Sequence, residues 1–199
     1  MIENKGIKMF EVLDKVCEPI RSTKYSAYVD LFAMEDVTIG AGETKIVSLG
    51  VKIDLKYLKE ASIPITNVPT LWVEDEFDRF LKTHYLEIAL RSSLAVKGLT
   101  IPNGIGIIDL DYPDEIGLIV HNPYTETIYK VNDRTYKIKK GDKVAQCTLK
   151  EHKGYLMGYE SDVVRDGGFG STDKDGDVVW EILNLSIKKQ EIFISLKRL

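Results

Sequence analysis

Along most of the chain, apolar residues come in short β-branched runs broken by Gly, Pro, Asp and Asn. The clearest are TIGAGETKIVSLGVKIDL (38–55), GIGIIDL (104–110), EIGLIVHN (115–122) and YKIKKGDKVAQCTLKE (136–151). Runs of this kind with turn residues between them predict strands, and their cadence predicts an all-β fold, a compact barrel or sandwich. In GIGIIDLDYPDE a period of two sends Asp109 and Asp111 to one face of a strand, with Ile108 and Leu110 on the other. One stretch departs from this cadence. In LWVEDEFDRFLKTHYL, Phe77, Phe80, Leu81 and Tyr85 recur at helical spacing with charges between them, which predicts a short amphipathic helix in an insertion at about 57–86. After Asp173, VVWEILNL (178–185) and EIFISL (191–196) flank a polar break and predict one more hairpin, a C-terminal extension over 174–199. No repeat, low-complexity tract or Pro-rich linker interrupts the chain, so residues 1–199 are expected to form a single domain.

Charge narrows the set of partners. With 31 acidic and 27 basic residues the net charge is −4, which lacks the cationic surplus needed to track a nucleic-acid backbone, so no stable nucleic-acid binding is expected. A phosphorylated small molecule remains open, because a few Arg, Lys and backbone N–H groups with a divalent cation can hold a triphosphate on an acidic protein. Cys17 and Cys147 are the only cysteines, too few and too far apart for a disulfide framework or a zinc site. The opening MIENKGIKMFEVLDK is charged throughout, and no run approaches the roughly 20 apolar residues of a membrane span. A cytoplasmic protein with reduced thiols, off the membrane, is expected.

Three segments carry candidate chemistry. RSSLAVKG (91–98) sets Arg91, the hydroxyls of Ser92 and Ser93, and Lys97 around a turn ending in Gly98, a combination suited to an anion; a polar turn capping a helix is its plainer reading. PNGIGIIDLDYPDE (102–115) has Gly104 and Gly106 flanking a strand, which permits a hairpin whose backbone approaches a flat ligand closely. Its acids would otherwise be ordinary surface carboxylates. VRDGGFGSTD (164–173) surrounds Phe169 with glycines and two hydroxyls, so its amides can wrap phosphates while the ring stacks on a base; alone it would pass for a linker.

In order, these segments resemble the five motifs of the trimeric dUTPase family, from about Ser26 to Asp173. AYVDLFA (27–33) is similar to the first motif, RSSLAVKG to the second, NGIGIIDLDYPDE to the third, KKGDKVAQ (139–146) to the fourth and GGFGSTD (167–173) to the fifth. The resemblance implies a β-barrel of jelly-roll type, a homotrimer, and hydrolysis of dUTP to dUMP and pyrophosphate with Mg²⁺. It makes Asp109 the base that activates the water attacking the α-phosphorus. Tyr112 would pack on the deoxyribose, and Asn103, with the hairpin main chain around Gly106, would read uracil. A site matched to that donor–acceptor edge rejects other bases because mismatched groups are left unpaired. Arg91, Ser92, Ser93 and Gln146 would contact the phosphates, Arg165 the terminal one. Phe169 would close over the ring with Gly170 and Ser171 beside it, and Asp30 would help hold the hydrated metal ion through water.

The sequence departs from the family pattern in places. Tyr28 stands where Gly is usual, as do Ser93 and Asp114, and Arg165 is four residues ahead of Phe169 where five is more common. A dCTP deaminase, or a bifunctional enzyme that deaminates and hydrolyses, shares the fold and the Arg-Ser-Ser-Leu segment. Against it stand Asp109-Leu110-Asp111-Tyr112 and the glycine-rich motif. A second alternative is a nucleotide-switched regulator that binds a protein partner through the insertion or the tail, where Trp72, Phe77 and Phe80 would be the contacts; the plainer reading is a helix that buries its own stripe on the barrel.

Overall fold

The computed structural model describes residues 9–62, 70–124, 134–158 and Gly167. The chain divides into two compact units, Met1–Ser161 and Asp162–Leu199, and every described element lies in the first. Its described residues form ten strands: β1 (Phe10–Val12), β2 (Val29–Phe32), β3 (Val37–Ile39), β4 (Thr44–Ser48), β5 (Val51–Ile53), β6 (His84–Leu90), β7 (Gly106–Asp109), β8 (Gly117–His121), β9 (Tyr136–Ile138) and β10 (Lys143–Glu151). Among the described residues three helices accompany them: α1 (Leu55–Ser62), α2 (Thr70–Thr83) and the single turn α3 (Ser92–Ala95), with short 3-10 turns at Lys15–Cys17 and Gly154–Met157. The architecture is the expected one, mainly β with a short helical insertion. No helix among the described residues is long and apolar enough to cross a membrane.

All pairing is antiparallel. β10 is central in a four-stranded sheet of order β2-β10-β6-β7, and β1–β5, β3–β9 and β4–β8 form two-stranded sheets. Alternation decides which face is buried. Leu86 and Ile88 of β6, Cys147 of β10, Leu118 and Val120 of β8, and Val37 and Ile39 of β3 all point into one core that also holds Leu31, Leu49, Leu110 and Ile116. Each fully buried Leu or Ile contributes roughly 1.5–3 kcal/mol. Two polar residues are buried as well, Asp30 and Asn122. Asn122 is satisfied by donating from Nδ2 to the carbonyls of Ile39 at 3.2 Å and Arg134 at 2.8 Å, which ties β3 to the segment ahead of β9.

The insertion has a structural job on its described part. Phe77, Phe80 and Leu81 of α2 pack against the core, as the helical spacing predicts. The helix ends earlier than that spacing suggests: His84 opens β6, and Tyr85 is a strand residue paired with Lys150. At the other end the strand-like run over 38–55 stops at Ile53. Asp54 accepts from the N–H groups of Lys56 at 3.0 Å and Tyr57 at 3.1 Å, a side-chain cap that starts α1 at once. Residues 174–199, Arg165, Phe169, Gly170, Ser171 and the side chain of Trp72 lie outside what is described.

Both thiols are buried and unpaired with each other. Burial pushes the Cys147 thiol up to about 12, and Cys17 is also raised, chiefly by burial. Cys17 sits under a turn at Gly50, whose φ of +61° suits glycine, and a Cβ there would come within 2.5 Å of the Cys17 sulfur. Gly50→Ala therefore combines a strained backbone with overpacking. It should cost about 2 kcal/mol or more of stability, read as a lower urea midpoint at unchanged slope.

Candidate active site

β10 organises the candidate residues because its register fixes what lies on each sheet face. Gln146 is opposite Asp30 of β2 on one side and Ala89 of β6 on the other. Thr148 is opposite Glu87, and Lys150 opposite Tyr85; across β6, Glu87 meets Ile107 and Tyr85 meets Asp109. Directly opposed residues share a face. Asp30, Gln146, Glu87, Tyr85 and Asp109 therefore all lie on the face turned away from Leu86, Ile88 and Cys147.

At one end of this face Asp30 is 4% exposed, so its charge needs close partners. It has three. Arg91 forms an ion pair with Oδ1, Ser22 donates its hydroxyl to Oδ2, and Lys143 Nζ reaches Oδ2 at 2.9 Å. Lys143 also donates to the Ser22 hydroxyl at 2.9 Å. The main chain holds the same group: Asp30 and Ile20 exchange N–H···O bonds of 2.8 and 3.2 Å, and the Arg91 amide donates to the Val144 carbonyl at 3.1 Å. Arg91 is in extended conformation, and the turn of α3 begins right after it, pinned by buried Leu94 with Ser92 and Ser93 exposed. Two cations and three hydroxyl residues thus surround one end of the sheet.

The other end is built differently. β7 is the outer strand, and Asp109 is its last residue and exposed. The chain then turns, so Asp111 lies in that turn and not beside Asp109 on a strand; the Tyr112 amide closes it onto the Asp109 carbonyl at 3.1 Å. Strand alternation does not extend to Asp111, and Pro113 follows two residues later. The Tyr112 ring is 7% exposed and belongs to the core. Asn103 is exposed in a turn with Gly104 at φ +76°, followed by Gly106, where a Cβ would crowd Ile88 at 3.3 Å. No tight hairpin joins β7 to its partner: α3 and the 101–105 turn intervene between β6 and β7.

Between the two ends lies a network that no short motif announces. Tyr28 donates its hydroxyl to one oxygen of Glu87, Tyr85 donates to the other at 3.0 Å, and Lys150 stands 3.8 Å away. The Tyr28 bond is the main cause holding the Glu87 carboxyl below its ordinary range, and it holds the Tyr28 phenol above its own. Tyr28 is one of the residues that depart from the family pattern, and that departure was the one sequence signal pointing here. Ser22 and Lys143, the partners of Asp30, were not singled out by spacing either.

A family model described as dUTPase covers residues 80–173. The deoxyuridine 5'-triphosphate nucleotidohydrolase of Rickettsia akari is 32% identical over 162 residues, 77% of this chain and 86% of that one. The chain belongs to the dUTPase family. The nucleotidohydrolase of variola virus is 28% identical, covering 85% of this dUTPase-family chain and 94% of its own. Among solved structures, the dUTPase of Streptococcus mutans has a TM-score of 0.50 at 24% identity, covering 72% of this chain and 95% of that one. The dUTPase of S. aureus phage phi11 has a TM-score of 0.50 at 19% identity, covering 81% and 97%. These neighbours share the dUTPase fold.

Glu87 gives this member of the family a checkable electrostatic signature. A carboxyl whose folded pKa is depressed adds stability above its unfolded value, near 4.3, and loses it as pH falls through the folded one. Glu87→Gln should therefore be less stable than wild type by about 1 kcal/mol near pH 7. Urea unfolding repeated near pH 3 should show that gap narrowing, and a gap unchanged with pH would show that charge plays no part in it.

Proposed function

We propose that the protein hydrolyses dUTP to dUMP and pyrophosphate, with Asp109 as the general base for a water that attacks the α-phosphorus. Membership of the dUTPase family supports the reaction, and the placement of the candidate groups supports the division of labour. Arg91, Ser92, Ser93 and Gln146 take the phosphates, since guanidinium, hydroxyl and amide donors match phosphate oxygens. Asn103 and the main chain at Gly106 take the base, and Tyr112 stands by the sugar. Arg165, Phe169, Gly170 and Ser171 are assigned to the bound nucleotide by the motif resemblance alone. The attacking group is a water, so no covalent intermediate forms.

Magnesium fits as a part of the substrate. Among the described residues no group of three His, Cys, Asp or Glu side chains could hold an ion, and both oxygens of Asp30 are engaged by Ser22, Arg91 and Lys143. Mg²⁺ commonly keeps several waters and rides on phosphate oxygens with one or two carboxylates nearby. The donor set suits an ion that arrives chelated by the triphosphate, with Asp30 as the neighbouring carboxylate. When bound, the ion neutralises phosphate charge; orientation and proton removal are left to the chain.

The observation that carries the quaternary reading is a length. Gln146 is level with Ala89, and Asp109 with Tyr85, four residues further along β6 and two strands away. At about 3.3 Å per residue and 4.8 Å per strand, the two Cα atoms are roughly 16 Å apart. A general base must come within about 3 Å of its water. That separation favours a phosphate grip at Gln146 and a base at Asp109 that come from different chains. We therefore assign each site to two copies, one giving Asp109 and the other Arg91 and Gln146, within a homotrimer.

Two outcomes check this. Asp109→Asn should lower turnover at least a hundredfold in a pyrophosphate-release assay while a non-hydrolysable dUTP analogue still binds within about tenfold of wild type. Retention of more than a tenth of turnover would remove Asp109 from that role, and running dCTP beside dUTP reports any deaminase activity. Mixing refolded Asp109→Asn and Arg91→Ala chains, each inactive alone, should restore activity at about a quarter of the sites, because random assembly pairs an intact Asp109 with an intact Arg91 that often. No recovery, with trimers present by light scattering, would mean that both residues come from one chain.

A further inference from the structure

We infer that Lys143 is a second phosphate-binding cation, set beside Arg91 by the buried carboxylate of Asp30, so that Asp30 acts as a positioning residue for a two-cation fork. The inference rests on the nucleotide reading above and adds to it a residue that the motif comparison does not assign. Four observations carry it.

The first is charge. One buried carboxylate faces two cations, Arg91 and Lys143, so the cluster as a whole is net positive. The second is exposure. The Asp30 side chain is 5% accessible, whereas Arg91 is 27% and Lys143 38%, so the negative member is inside and the positive members reach the surface. An incoming anion meets the cations and not the carboxylate. The third is placement, because Arg91 leads directly into the exposed hydroxyls of Ser92 and Ser93, and Lys143 lies three residues before Gln146 on β10. The fork therefore adjoins every described side chain assigned to the phosphates.

The fourth observation is support. Lys143 is a flexible ammonium that would cost rotamer entropy to fix on a ligand. Here it is already held by Asp30 and the Ser22 hydroxyl, each at 2.9 Å, and its Nζ lies 5.9 Å from the centre of the Phe32 ring. Preorganisation of this kind lowers the cost of binding. Ser22 acts through Asp30 and Lys143, so its role too is positioning.

A cation that binds phosphate has a signature that a purely structural lysine lacks: its loss grows with the number of phosphates on the ligand. The test measures binding of dUMP, dUDP and a non-hydrolysable dUTP analogue, each with Mg²⁺, to the full-length wild type, Lys143→Met and Lys143→Arg by calorimetry. Pyrophosphate release from dUTP by the wild type is established first. Lys143→Met should weaken the triphosphate analogue by about tenfold or more, dUDP by less and dUMP least, with KM rising more than kcat falls. Lys143→Arg should recover most of the affinity, since it keeps the charge. Ser22→Ala, which leaves both cations in place, should give a smaller loss in the same order.

An equal loss across the three ligands, or no rescue by arginine, overturns the assignment of Lys143 and leaves the hydrolytic reading untouched. Wild-type protein that neither hydrolyses nor binds dUTP overturns both. Because Lys143 is part-exposed and at a strand end, its variants should fold, and unchanged wild-type-like thermal unfolding checks that. If Lys143→Met nevertheless unfolds, Ser22→Ala with the same ligand series decides, a loss independent of phosphate number counting against the fork.

Discussion

The structure depends on one buried carboxylate. Taking an ionised Asp out of water costs several kcal/mol even after relaxation, and the cost is offset only by close, well-directed partners. Asp30 recruits its partners from three distant parts of the chain: Ser22 from the loop before β2, Arg91 from the junction of β6 and α3, and Lys143 from the start of β10. Any of these left unpaired would leave charge stranded beside the core. The requirement therefore fixes how β2, β6 and β10 meet at one end of the sheet, and the same contacts aim two cations outward. Fold and the proposed phosphate grip share one set of bonds.

The four-stranded sheet then serves as a ruler. Its core face is apolar, and its outer face carries Asp30 and Gln146 at one end, Glu87 with Tyr28 and Tyr85 in the middle, and Asp109 at the far edge. The Glu87 network occupies the stretch between the ends with satisfied polar groups, and among the described residues no buried side-chain N or O lacks a partner. A rigid sheet keeps the two ends apart, which is why the proposed site draws its ends from different copies. In that proposal symmetric association turns the separation into a repeated site.

Much of this was legible in local patterns. Strand cadence located β3–β5, β7, β8 and β10, and helical spacing found α2 through Phe77, Phe80 and Leu81, because burial on one face is what creates such periods. Boundaries were less legible. Tyr85 continues the helical spacing yet belongs to β6, where pairing with β10 outweighs local preference; Asp54 ends one element and caps the next, which a run of alternating residues conceals. Asp111 is cut off from Asp109 by a turn that alternation cannot see. The partners of Asp30 were hidden for another reason. Lys143 is 113 residues away from it and Ser22 is eight, neither at a spacing that any local motif encodes. The ordered motifs nominate phosphate and base ligands; only the tertiary contacts reveal what holds Asp30.

The distance between the grip and the base also has an electrostatic consequence. A protein of net charge −4 must still attract a polyanion, which it can do only where positive charge is local. Arg91 and Lys143 supply that locality. A proton acceptor placed among them would be weakened, because neighbouring cations favour the charged form of a carboxylate and reduce its basicity. Roughly 16 Å of sheet, from the register spacings, separates Gln146 at the grip from Asp109 at the edge. In the proposed two-copy site the triphosphate comes between grip and base, and its negative charge offsets that of Arg91 and Lys143 where the base must work. Under that proposal, assembly from two copies separates the two demands until the ligand itself reconciles them.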